Sequence, residues 1–133
     1  MSLAATKNIR DYLCDDPTIT SLVSTSNIRV GWPNELDAFP TILITQSAGM
    51  DIGYLGYRTS AAGSRVRREE VNIQIDIFSQ TSRRETLQIA DAIVPVMIAS
   101  GAARKISDID MYDDNLKSYR KMQTYSFTMF HDD

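Results

Sequence analysis

Glu70-Val71-Asn72-Ile73-Gln74-Ile75-Asp76-Ile77-Phe78 is the stretch whose reading decides the fold. Val71, Ile73, Ile75 and Ile77 alternate with Asn72, Gln74 and Asp76, so the β-branched residues all fall on one side at period two. Successive side chains of an extended chain point to opposite faces. The segment is therefore a strand with one face on a core and the other toward water or a partner.

Downstream, Ser82-Arg83-Arg84-Glu85 has the form of a capping box, in which Ser82 and Glu85 satisfy free amides at a helix start. Leu87, Ala90, Val94 and Met97 recur behind it at helical spacing, flanked by Ile93 and Ile98, and Gly101 is placed to end the helix. Pro95 conflicts with this pattern. It removes the bond to the carbonyl of Asp91 and is expected to kink the helix or end its regular part early. Two strands complete the chain, over 104–112 and 125–129. In the second, Tyr125, Phe127 and Met129 alternate with Ser126 and Thr128, and Asp113-Asp114-Asn115 supplies the turn between the two.

Upstream, Leu3, Ala4, Ile9, Tyr12 and Leu13 have a loose helical spacing that stops at Asp15-Asp16-Pro17. Asp16 before Pro17 is a restart signal, a capping side chain followed by proline at the first helical position, and predicts a short helix through Ile19, Leu22 and Val23. After a polar turn, 28–33 and 41–45 read as strands, with Pro40 at the entry of the second. Residues 47–64, punctuated by Gly49, Gly53, Gly56 and Gly63, form either a long hairpin with ragged ends or an extended loop. The expected architecture is one domain over residues 1–133, of α+β class. It has a mainly antiparallel, mixed sheet of about five strands, flanked by an N-terminal helix and one longer helix, with a long hairpin loop.

Composition narrows the function classes. The 133 residues suffice for one core, and 43% hydrophobic with 23% charged residues is ordinary for a soluble globular chain. The longest apolar stretch, 89–98, is broken by Asp91 and Pro95, well short of the roughly 20 residues a spanning helix needs, and the first fifteen residues lack the apolar run of a signal peptide. A net charge of −3 gives no general case for nucleic acid. Cys14, the one cysteine, has no intramolecular disulfide partner, and beside Tyr12 and Leu13 it reads as a small buried hydrophobe before a reactive thiol.

Groups that do chemistry are scarce. His131 is the one histidine, two residues from the end, where chains fray and nothing is positioned to pair with it. Cys14 with His131 forms no recognisable ligand pattern. Asp15-Asp16, Asp113-Asp114 and Asp132-Asp133 read as solvated turns or chain end, and 108–114 lacks the glycine and closing glutamate of a calcium loop. The glycines of 47–64 match no nucleotide-binding fingerprint. We expect no catalytic site, cofactor or metal.

What remains suits contact with other subunits. Tyr54, Leu55 and Tyr57 sit among glycines, and tyrosines at such a tip favour burial in a partner as much as folding onto their own domain. Arg65, Arg67 and Arg68, with Arg83 and Arg84 further on, are either a solvated strand end or ion-pairing groups for acidic turns such as Asp113-Asp114 across a subunit boundary. Tyr54, Tyr57, Arg65, Arg67 and Arg68 are the interface candidates.

The ordered pattern resembles a known family. An N-terminal helix precedes "NIRVGWP" (27–33) and "FPTILI" (39–44). A glycine-rich hairpin then leads into "EEVNIQIDIFSQTSRRETLQIADAIVPVM" (69–97), and "YSFTMF" (125–130) closes the chain. Over residues 3–131 this is similar to the tail-component family of tailed bacteriophages and prophages, which includes tail terminator (tail-completion, tail-to-head joining) proteins. Its most diagnostic piece is the alternating strand running through Ser79-x-x-Ser82-Arg83-Arg84-Glu85 into Ile89-Ala90-Asp91-Ala92-Ile93; Pro95 departs from the pattern. The resemblance implies a virion protein assembled in the host cytoplasm as a ring, commonly a hexamer. Such a ring caps the tail tube, stops its polymerisation and meets the head-tail connector protein, with DNA passing through its lumen and no membrane partner. A head-closure, neck or other minor tail protein is the alternative within the class. A small nucleic-acid-binding module using the arginines is the alternative outside it, although no aromatic stacking platform accompanies them.

Overall fold

The alternating segment is the middle of a long strand, Arg65–Ser79, which lies at the centre of a five-stranded sheet. A computed structural model describes the backbone of residues 2–33, 35–36, 38–59, 65–102 and 104–132, and the side chains of 6–33, 35–36, 38–46, 70–102 and 104–128. In chain order the elements are helices α1 (Ser2–Asp15) and α2 (Pro17–Leu22), strands β1 (Ile28–Val30), β2 (Thr41–Thr59) and β3 (Arg65–Ser79), helix α3 (Arg83–Ala99), and strands β4 (Arg104–Asp113) and β5 (Ser118–Asp132). The strands lie in the order β1-β2-β3-β5-β4, with β1 parallel to β2 and the other pairs antiparallel. The fold is α+β with a mixed sheet, as the sequence pattern predicts.

One face of the sheet is roofed by the helices. Val71, Ile73, Ile75 and Ile77 of β3 are buried there with Ile42 and Ile44 of β2, against Ile9 and Leu13 of α1, Ile19 of α2, and Ile89, Ala90, Ile93 and Met97 of α3. Burying each such aliphatic side chain is worth about 2 kcal/mol. Arg10 of α1 donates from Nε to the Ile28 carbonyl at 2.8 Å, tying the helix to the short edge strand.

Local signals place the helices. Asp16 Oδ1 accepts from the Thr18 and Ile19 amides at 2.8 and 3.2 Å, with Pro17 as the first helical residue. Ser82 accepts from the Glu85 amide at 3.1 Å, which is half of the expected capping box. The other half runs through a hydroxyl: Ser79 Oγ donates to the Glu85 carboxylate at 2.6 Å and accepts from the Thr81 and Ser82 amides. At the C-terminus the Ala102 amide donates to the Met97 carbonyl at 3.0 Å, and that of Gly101 to Ile98 at 3.1 Å. This pair is a Schellman closure with Gly101 at φ +107°.

Several expectations are corrected. Pro95 does not end α3, which runs on to Ala99. Pro95 lies on the exposed side, where water can satisfy the freed carbonyl of Asp91. The inward stripe of α3 is Thr86, Ile89, Ala90, Ile93 and Met97, so Leu87 and Ile98 face out. On α1, Thr6, Ile9 and Leu13 face in, while Tyr12 is exposed. The first predicted strand stops at Val30, where Gly31 turns with φ +80°. Residues 47–64 take the hairpin alternative: β2 runs to Thr59 and pairs with β3 as far as Thr59 opposite Arg65, with register shifts at 46/48, 51/53 and 54/59. Residues 60–64, including Gly63, lie outside the described residues. β5 is far longer than the predicted 125–129, and it pairs His131 with Arg67 instead of leaving a frayed end. Cys14 is a half-buried free thiol packed against the core.

A Cβ at Gly101 would meet nothing within 4 Å, so only its left-handed backbone resists substitution. Gly101→Ala should therefore cost about 1 kcal/mol, read as a lower urea midpoint at unchanged slope.

Candidate functional site

The interface candidates lie together on one ribbon. Tyr54 and Tyr57 are on β2, and Arg65, Arg67 and Arg68 on β3. The register sets Tyr54 opposite Arg67, Gly53 opposite Arg68 and Thr59 opposite Arg65, while Tyr57 falls in the irregular stretch between Tyr54 and Thr59. Their side chains lie outside the described residues. Arg83 and Arg84 do not join this cluster. They follow the other end of β3, roughly 40 Å away along the strand. Arg83 stacks instead over the Tyr119 ring, 5.9 Å from its centroid. Asp113 is occupied in its own turn, accepting from the Leu116 amide at 3.0 Å.

The face of the sheet opposite the helices carries a group that the alternating pattern of β3 conceals. Asp76, expected to face water or a partner, is fully buried. Its Oδ1 accepts from Arg120 Nε and Nη2 at 2.9 and 2.7 Å, and its Oδ2 from Gln74 Nε2 at 2.8 Å. Arg120 lies over the rings of Trp32 and Phe78, at 5.1 and 5.4 Å, and those rings meet edge-on at 5.6 Å. The signal for this was the break in alternation at Ile77-Phe78 together with a lone tryptophan at the end of β1. Trp32 remains 50% exposed, so this end of the face is sealed from one side only.

On the helix side, the core becomes polar toward β4. Lys121, Gln123 and Tyr125 of β5 share the face of Ile77, Ile75 and Ile73. Lys121 Nζ lies 2.7 Å from Asp108 and 3.3 Å from Asp110, the two carboxylates weighed in the sequence as oxygen ligands. An ammonium thus fills the position between them. Lys105 pairs with Asp108 at 2.7 Å, and the Tyr125 hydroxyl donates to Gln123 at 2.8 Å. Partial burial alone would raise the Asp108 carboxyl, but hydrogen bonds from Lys105, Lys121 and Gln123 outweigh it and hold it below its ordinary 3.8. Burial alone would lower Lys121, and Asp108 and Asp110 reverse that, holding it above 10.5. Burial, and then the Asp108 charge, push the Tyr125 phenol upward.

A third surface lies on the outside of α1 and α3. A cleft of about 380 Å³ opens between them, lined by Tyr12, Asp15, Asp16, Pro17, Pro95 and Ala99 among others. Tyr12, Leu87 and Ile98 are 52%, 48% and 63% exposed. Among the described residues no three His, Cys, Asp or Glu side chains are grouped to hold a metal, and no helix is long and apolar enough to cross a membrane.

A chain of the solved structure described as "Virion of native gene transfer agent (GTA) particle" superposes on this one with a TM-score of 0.66. The likeness is end to end. It covers 98% of this chain and 96% of that chain, at 9% identity, which makes it a likeness of fold. No protein-family model and no curated protein sequence matches the chain.

Removing Arg120 would leave the Asp76 carboxylate buried with Gln74 alone, so Arg120→Ala should cost about 3 kcal/mol in urea unfolding. For the polar flank, the lowered Asp108 contributes stability in full above pH 3.8 and loses it as pH falls through its lower folded value. The raised Lys121 contributes in full below pH 10.5 and loses it as pH rises through its higher folded value. Asp108→Asn should therefore lower stability between these limits and flatten the acid limb below pH 3.8 in urea titrations at stepped pH.

Proposed function

We propose that this protein is a structural component of a phage or prophage particle, and that it acts as a tail terminator. In this reading it forms a ring at the end of the tail tube, stops tube growth and meets the head connector, with DNA passing through the lumen. It works by assembly and not by catalysis. The observation that carries the reading is the end-to-end fold likeness to a chain of a gene transfer agent virion, in which almost nothing of either chain is left over. The resemblance of 3–131 to the tail-component family supports the narrower role. So does the grouping of Tyr54, Tyr57, Arg65, Arg67 and Arg68 on one strand-paired ribbon, where they can act as a single contact surface.

Electron microscopy of the purified protein, with and without tail tubes, tests this. Rings of uniform diameter, free at high concentration or seated on tube ends, are the expected result. A protein that stays monomeric and ignores tubes would sink the terminator reading, and one that binds only the head connector would reassign it to head closure.

A further inference from the structure

We propose that the outer face of α3, with its cleft against α1, is the seat for the distal β2–β3 ribbon of a second copy of this chain. The inference rests on the ring-forming reading and specifies the contact that repeats around it.

The seat joins exposed apolar side chains of α3 to a cleft with acidic lining. At 100° per residue, Leu87, Pro95 and Ile98 come to the side of α3 away from the core. Ile98 is 63% exposed and Leu87 48% exposed. Single exposed apolar side chains mean little. Here Pro95 belongs both to the outward side of α3 and to the cleft that Tyr12 and Pro17 line, so the two adjoin. The charge at the cleft has one sign: Asp15 and Asp16 line it with no lysine or arginine, and Asp91 is exposed within the stripe, while Arg84 lies one turn before Leu87, at the end of α3 away from the cleft.

The ribbon has the complementary composition. Residues 53–68 contain Tyr54, Leu55 and Tyr57, four arginines (Arg58, Arg65, Arg67 and Arg68) and no acidic residue. Aromatic side chains with arginine are the usual anchors of a protein interface, and arginine pairs well with carboxylates. The ribbon also has reach. From Val71, a buried position of β3, the six residues to Arg65 span about 20 Å. Pairing with β5 as far as Val66 opposite Asp132 carries the ribbon on along the sheet and not back over its own α3. Seat and ribbon are different patches of one surface, so their contact is head-to-tail and closes into a ring when the rotation per subunit allows.

The test uses one-sided variants of the full chain at the concentration where the wild type self-associates. Ile98→Asp and, separately, Leu87→Lys alter exposed positions of the seat; Arg67→Glu with Arg68→Glu reverses the ribbon. Each variant should unfold in urea as the wild type does, yet self-associate at least about tenfold more weakly by sedimentation velocity. Mixing a seat variant with the ribbon variant leaves one working seat and one working ribbon, so a 1:1 heterodimer and nothing larger should form. Folded seat variants that assemble like the wild type, or a mixture that stays monomeric, would overturn the seat while leaving the ring intact. Seat variants that keep their rings but no longer cap tubes would assign this face to the tube protein and also overturn the proposal. A wild type that never associates, even on tubes, would remove the ring reading and this contact with it.

Discussion

β3 is hydrogen-bonded on both sides over nearly its whole length, and a strand in that position cannot turn its row of isoleucines to water. Burying that row at about 2 kcal/mol per side chain drives three helices onto one face of the sheet. The rest follows from this. α1 and α3 must turn Ile9, Leu13, Ile89 and Ile93 inward, Arg10 clamps β1 beneath α1, and Gly101 reverses the chain so that β4 can form the edge of the sheet and β5 can pair between it and β3. Among the described residues, the opposite face receives no helix. There the crossover from β1 to β2 brings Trp32 over Phe78, and Arg120 neutralises Asp76 beneath it.

Legibility in the sequence tracked how cleanly each segment separated two environments. β3 was plain because Val71 to Ile77 meet the core while Asn72 and Gln74 do not. The first half of β5 was hidden because its inward positions are Lys121 and Gln123, which meet Asp108 and Asp110 on β4. Polar residues facing inward and Met122 facing outward invert the usual alternation. The stripe of α3 was placed partly out of phase for the converse reason: Leu87 and Ile98 are apolar but point away from the core. Glycines made 47–64 look like a loop as much as a hairpin. In the structure the chain absorbs them as register shifts at 46/48, 51/53 and 54/59 without leaving the sheet.

The candidate surface was legible in part. The tyrosines and arginines were identifiable by residue type, and the register brings Tyr54 and Arg67 side by side. Its counterpart on α1 and α3 was invisible in the sequence, because Tyr12, Leu87 and Ile98 read as core wherever helical spacing is the only guide. The mispredicted positions of the helices are therefore the informative ones. At the other edge of the sheet, Asp108 and Asp110 of β4 point to the same side as Lys121, an arrangement of inward charge that discourages strand-to-strand sticking along an open edge.

The strand-paired state of residues 47–59 has a thermodynamic consequence. Capturing a coil of that length would mean freezing its backbone, at roughly 1–2 kcal/mol for each residue ordered. A segment already zipped to β3 lost most of that disorder when the chain folded. Whatever grips it meets a stiff lever whose docking geometry is set in advance by the sheet.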